Sequence, residues 1–230
     1  LGGNMLLIDG YYEDAVQYER MEGVVSVTYN YTFETAGYAD EYSEEPDDPY
    51  FAQQPYPGKK ATWFNMGVKA DNIEGFEFTT IRVAVLDTGI DATHEDLVNR
   101  VVAGYNAIDD EVIEAGVNSD IAYDSHGTMV AGLIGAEAYN GKGIAGVAGK
   151  FPVELVPVRA LGADGKGKIA DIVRGIYWCI DNDVDIINMS FGTRLNYYPA
   201  ALGKAVDAAD ECGSMMIAAA GHESGKTLTG

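Results

Sequence analysis

From Ile81 onward the sequence predicts an α/β fold, a parallel doubly wound sheet flanked by helices. Runs of strand length alternate with helical stripes, and the first run, "IRVAVLD", is of the buried type. Alternation at this spacing implies crossover connections, which set strands parallel under helices on both faces. Apolar residues make up 47% of the 230, ample for such a core.

Three regions differ in composition. In residues 1–33, "YYEDAVQYERMEG" reads as a helix stopped by Gly23, and "VVSVTYNYTFE" alternates like a strand. Residues 34–75 carry "ADEYSEEPDDPY" and "QQPYPGKK"; the clustered acids with Pro46, Pro49, Pro55 and Pro57 suggest an exposed linker. Residues 76–230 form the α/β domain. Its strand "IRVAVLD" ends at Asp87. "HGTMVAGLIGAEA" reads as a helix with Val130, Leu133 and Ile134 on one face. "PVELVPVRAL" is a second strand. "KIADIVRGIYWCIDND" sets Ile169, Val173, Ile176 and Ile180 on one stripe. "VDIINMS" is a strand, and "AALGKAVDAADECG" is a helix closed by Gly213. "MMIAAAG" reads as a last core strand, with His222 following it and facing the same cleft as His126.

Bulk charge narrows the function. Acidic residues outnumber basic ones 36 to 15, for a net charge of −21, which disfavours nucleic-acid binding. No apolar run reaches the roughly 18 residues of a membrane span. Cys179 and Cys212 fit no metal-ligand spacing; they read as two thiols, with one disulfide left open. The chain starts at Leu1 with no signal peptide in view, so a processed or partial chain is expected.

In a parallel sheet, ligands sit beyond the carboxyl ends of the strands. Asp87, Ser190 and Gly221 all fall at such ends. A carboxylate closing an apolar strand costs several kcal/mol to bury unless it is paired. His126, in "DSHGTMVAG", opens a helix 39 residues later, and Gly127 lets backbone approach it. An aspartate that fixes one imidazole nitrogen leaves the other free as a general base.

These residues carry a resemblance to the subtilisin-like serine proteases, or subtilases, over roughly residues 81–221. "VAVLDTGIDATHEDL" resembles the family's catalytic-aspartate segment. "SHGTMVAG" resembles its histidine segment, with Met129 where a second histidine is usual. "VRALGADGKG" and "NMSFG" resemble the two walls of the substrate groove, and "AAAGH" the strand carrying the oxyanion-hole asparagine. The resemblance implies a secreted or cell-surface endopeptidase. Asp87 would orient His126. A peptide would lie extended between Gly165, Lys166, Gly167 and Ser190, Phe191, Gly192, held by main-chain hydrogen bonds. "GVVSVTYNYTF" resembles the end of the family's inhibitory propeptide and "DPYFAQQ" the start of its mature enzyme. Residues 1–33 would thus be a partial propeptide, an intramolecular inhibitor. "AYNGKGIAG" and the aspartate after "THE" resemble a calcium site, implying Asp96 and Asn140 as ligands, with Gln53 or Gln54 able to add an oxygen.

Two departures stand out. His222 occupies the asparagine position, where a preorganised donor is worth about 2.7–4 kcal/mol of barrier. None of Ser26, Ser43, Ser119, Ser125, Ser190, Ser214 and Ser224 lies in the family's Gly-Thr-Ser context, so the nucleophile is expected beyond residue 230 and the chain alone is expected to be inactive. A non-catalytic peptide-binding pseudoprotease is the alternative. A phosphate loop over Ala220–Thr227, with Lys226, is a distant third, since no helix can follow it. "GKGIAG" follows a helix rather than a strand, which excludes a dinucleotide loop.

Overall fold

The computed structural model of the chain describes residues 47–54, 79–192 and 199–219. The chain divides into two units, Leu1–Asp40 and Glu41–Gly230, and all described residues lie in the second. The expected helix and strand of residues 1–33, the Ala220–Thr227 loop and His222 lie outside the described residues.

The elements are β1 (Ile81–Asp87), β2 (Gly104–Asn106), β3 (Glu111–Ile113), α1 (His126–Gly135), β4 (Val153–Arg159), α2 (Ile169–Asp181), β5 (Ile186–Met189), α3 (Ala200–Glu211) and β6 (Met215–Ala218). They build one sheet in the order β3-β2-β4-β1-β5-β6. β1 lies between β4 and β5, parallel to both, with Asp87 beside Arg159 and Val85 beside Asn188. β2 continues parallel from β4, and β6 from β5. β3 departs from the parallel expectation and pairs antiparallel with β2. Only Ala107 to Asp110 connect the two, too little chain for a crossover helix.

Successive side chains of a strand point to opposite faces, and β1 obeys this. Ala84 and Leu86 join Val156, Val158, Ile187 and the inner faces of α2 and α3. Val83 and Val85 join Leu155, Leu97 and Ala131 of α1 on the other side. Both faces are therefore covered, which is why β1 reads as an unbroken apolar run. α2 approaches closely because Gly175 leaves room: a Cβ there would meet Leu86 and Val158 side chains at 3.1 Å. Arg174 at the outer side of α2 donates to the Ala107 carbonyl.

The structure refines one helix expectation and corrects one strand expectation. α1 buries its small side, Gly127, Thr128, Ala131, Gly132 and Gly135, while Leu133 is 53% exposed. Val130 and Ile134 are only partly buried against the core. Glycine and alanine bring the helix backbone nearer the sheet than leucine could. β6 joins the sheet but forms its edge, with Met215 60% and Ile217 49% exposed. It is not a core strand among the described residues, because only β5 pairs with it. Cys179, inside α2, and Cys212, exposed after α3, are both free thiols.

Candidate active site

Asp87 closes β1 at the sheet centre and is wholly buried. Its Oδ1 accepts the Thr88 N–H at 2.8 Å and lies 2.8 Å from His126 Nδ1. A carboxylate can only accept, so the shared proton belongs to Nδ1, and Nε2 keeps its lone pair. The imidazole side chain is 39% exposed, so Nε2 is open to a reacting group. The Asp87 hydrogen bond is the main cause that raises His126 above the ordinary histidine range. Burial opposes it, and the charges of Asp87, Asp124 and Asp120 add to it. Asp87 Oδ2 is buried without a partner, a site cost of about 1–3 kcal/mol.

Close backbone contact sets this geometry. His126 is the first residue of α1, and Ser125 before it takes the left-handed conformation, φ 50°. Gly127 N donates to Thr88 Oγ1 at 3.0 Å, tying the helix start to the residue after Asp87. Gly89, at φ 111°, passes so near the 119–120 backbone that a Cβ would stand 2.2 Å from the Ser119 carbonyl oxygen.

Because β4 and β5 flank β1, the loops that follow them flank the Asp87 edge. After β4 the chain turns tightly: Gly162 N donates to Lys166 O at 2.8 Å, with Gly165 at φ 69°. Gly165, Lys166 and Gly167 are exposed. A Cβ at Gly167 would stand 2.5 Å from the Ala160 carbonyl oxygen, so the loop can pass there only as glycine. Lys166 Nζ donates to Asp164 at 3.1 Å and, as the main cause, holds that carboxyl below its usual range. After β5, Ser190 Oγ accepts from Asn188 Nδ2 at 2.9 Å. Phe191 packs against the larger core cluster, and Gly192 is exposed.

A second cluster sits at the far end of the α1 layer. Asp96 is buried, its oxygens accepting Asn140 Nδ2 at 2.9 Å and Ile144 N at 2.8 Å. Asp48 is also buried; its Oδ2 accepts Tyr139 N at 2.8 Å, while Oδ1 has no partner. Burial, with the nearby Asp96 charge as a lesser cause, raises the Asp48 carboxyl. Gln54 exchanges two bonds with the Ala145 backbone, each 3.0 Å, and Gln53 is exposed. An orphaned carboxylate oxygen beside a second buried carboxylate fits a hard cation. Among the described residues no three His, Cys, Asp or Glu side chains gather as a metal site. A cation here would rely on Asp48, Asp96, Asn140 and main-chain carbonyls. Asp48 was missed from sequence, because its acid- and proline-rich surroundings read as exposed linker. Instead Phe51 is buried with Ala138 and Ala145, and Tyr50 N donates to Gly143 O at 3.0 Å.

Of the four described serines, Ser119 Oγ donates to Ile90 O, Ser214 Oγ donates to Val184 O, Ser190 Oγ accepts from Asn188, and Ser125 is exposed before His126. No helix among the described residues is long and apolar enough to cross a membrane.

Comparison with known proteins bears on the family and the fold. The subtilase family model matches residues 79–229. The chain is 37% identical over 145 residues to a thermophilic serine proteinase of a Bacillus species, covering 63% of this chain and 34% of that protein. It is 41% identical over 150 residues to the major intracellular serine protease of Bacillus subtilis, covering 65% of this chain and 45% of that protein. Among solved structures, a protease of Pseudoalteromonas arctica superposes with TM-score 0.62 at 30% identity, over 78% of this chain and 60% of that one. Fervidolysin of Fervidobacterium pennivorans, described as a keratinolytic enzyme related to subtilisin, gives 0.56 at 30% identity, over 78% and 29%. The chain thus spans less than half the length of either curated relative.

Proposed function

This chain belongs to the subtilase family, and from that premise we propose that it supplies the aspartate and histidine of a serine endopeptidase. The observation that carries the reading is the 2.8 Å contact between wholly buried Asp87 and half-exposed His126 at the sheet's carboxyl edge. Asp87 holds the tautomer in which Nε2 is free. His126 takes the proton of a serine hydroxyl as that oxygen attacks the peptide carbonyl, then returns it to the leaving amine. Asp87 stabilises the imidazolium between the two transfers. The substrate lies extended between the Gly165–Gly167 and Ser190–Gly192 loops, and His222 takes the asparagine's place as donor to the oxyanion.

We place the serine outside the described residues: Ser119, Ser190 and Ser214 are each engaged elsewhere, and exposed Ser125 is the N-cap of α1. The second reading, a peptide-binding pseudoprotease, holds if the full-length protein also lacks that serine. Residues 1–33 act as the enzyme's own inhibitory propeptide. Asp48, Asp96 and Asn140 hold a structural calcium ion, which would neutralise two buried carboxylates and fix the 139–145 loop. The acidic surface and a calcium site together suit a secreted or cell-surface enzyme.

The experiment uses the full-length protein, freed of its propeptide, with peptide substrates and a serine-directed fluorophosphonate. Cleavage and labelling are expected, with His126→Ala lowering kcat on the order of 10⁶-fold and Asp87→Asn about 10⁴-fold. Peptide binding without cleavage or labelling would establish the pseudoprotease instead.

A further inference from the structure

We infer that Asp120 is a positioning residue, the carboxylate that locks the Asp87 strand end to the His126 helix start at their working separation. Both of its oxygens are engaged. Oδ1 accepts Thr88 Oγ1 at 2.9 Å and Ala122 N at 3.1 Å. Oδ2 accepts Thr128 N at 3.0 Å and Thr128 Oγ1 at 2.5 Å. Thr88 follows Asp87 directly, and Thr128 lies two residues past His126.

The two threonines extend the tie. Having donated its hydrogen to Asp120, Thr88 Oγ1 accepts Gly127 N at 3.0 Å. Thr128 Oγ1 in the same way accepts Asp91 N at 2.9 Å. The acid forces both hydroxyls into the donor orientation toward itself, so both present lone pairs to backbone N–H groups of the opposite segment. A closed ring results: Asp120, Thr88, Gly127, Thr128 and back to Asp120. An amide at position 120 can accept with only one atom, so on its other side one threonine hydroxyl would have to turn round and the backbone N–H of Ala122 or Thr128 would lose its acceptor. Bonds to a charged acceptor are also the stronger ones. His126 hangs from this ring by its own backbone, one residue from Gly127.

Charge alone gives a different forecast, and the two can be separated. Asp87, Asp120 and Asp124 all act on the imidazole. Asp124 is exposed and takes no part in the ring. Asp124→Asn therefore removes a charge near His126 while leaving the tie in place.

The inference rests on reading Asp87 and His126 as the acid–base pair, yet its test needs no hydrolysis. In the 230-residue chain, the Nδ1-bound proton of His126 is followed by ¹⁵N-edited NMR, assigned by its absence from His126→Asn. Asp124→Asn should lower the imidazole midpoint and keep that proton signal. Asp120→Asn should lower the midpoint and also lose the signal, or speed its exchange with water by tenfold or more. Thr88→Val, which deletes one hydroxyl of the ring, should lose the signal too, and the double variant should do no worse than either single one. If Asp120→Asn proves unfolded, Thr88→Val decides alone. A signal that survives Asp120→Asn as well as it survives Asp124→Asn, or survives Thr88→Val, overturns the inference. In the full-length protein, Asp120→Asn should fall on kcat rather than KM, on the order of 10²-fold, the scale for a misplaced catalytic group. Loss of the NMR signal with no peptidase activity in the parent protein would uphold the positioning role and refute the proposed reaction.

Discussion

The backbone of Gly127 passes so close to that of Gly89 that a Cβ on Gly127 would stand 2.1 Å from the Gly89 carbonyl oxygen. Neither side can yield cheaply. Gly89 is itself wedged against Ser119, and Gly127 is the second residue of α1. We expect Gly127→Ala to destabilise the chain by about 1–3 kcal/mol, the usual cost of overpacking. In urea unfolding the midpoint should fall while the slope stays unchanged. The same variant should lose the His126 Nδ1 proton signal, since the contact it breaks sits one residue from the imidazole.

Raising His126 above its ordinary value has opposite consequences for stability and for catalysis. The Asp87 hydrogen bond raises it in the folded state. Its stabilising effect is therefore complete below the unfolded histidine's midpoint of about 6.5 and fades as pH rises through the folded midpoint. The stability difference between wild type and His126→Asn should be largest near pH 5 and shrink above neutrality. A general base works only when neutral, so kcat/KM of the full-length protein should instead rise with pH through that same folded midpoint. Asp87→Asn should move this rise toward acid. A stability difference that grows with pH would contradict the pairing.

How much of this was legible in the sequence depended on whether the signal was local. β1, β4 and β5 could be read because burial on both faces leaves an apolar run behind. Asp87 and His126 could be read because each ends or begins such an element and sits in a motif. β2 and β3 left no trace. They are three residues each, and Gly104 is there for a distant reason: a Cβ would stand 2.0 Å from the Pro157 carbonyl oxygen. Asp48 looked like linker because its neighbours in sequence are acids and prolines, whereas its burial is set by the loop near Tyr139. Asp120 belongs to no periodic pattern, and only folding brings it to both threonines. The inner face of α1 is not marked by apolar size, because close packing on the sheet selects glycine and alanine there.

The two thiols should differ sharply. Cys179 is wholly buried in α2, and that burial pushes its thiol up to about 12. Cys212 is exposed. The thiolate is the reactive form, so a thiol reagent at pH 8 should label one cysteine in the native chain and two in denaturant. Cys212→Ser should abolish the native labelling. Native labelling of both would mean that α2 opens readily from the sheet.

The cation cluster makes a prediction whose sign reverses with the metal. Burial raises the Asp48 carboxyl in the folded chain, so folding is penalised once the pH exceeds both the unfolded and the folded midpoints. Its Oδ1 has no partner, and the Tyr139 N–H on Oδ2 offsets the burial penalty only in part, so a net penalty remains at neutral pH. In EDTA at pH 7, Asp48→Asn should therefore melt at or above the wild-type temperature: the amide keeps an acceptor for Tyr139 N and drops the repulsion with Asp96. Millimolar calcium should reverse the order. A ligand at 100 times its Kd adds about 2.7 kcal/mol to the native state, which for a domain of this size is about 5–10 °C in Tm. Wild type should gain that shift, Asp48→Asn only part of it, and Asp96→Ala none. Differential scanning calorimetry of the three chains in both buffers reads the outcome. If Asp48→Asn melts below wild type by the same margin with and without calcium, the carboxylate serves the 139–145 loop through hydrogen bonding alone and the calcium proposal fails.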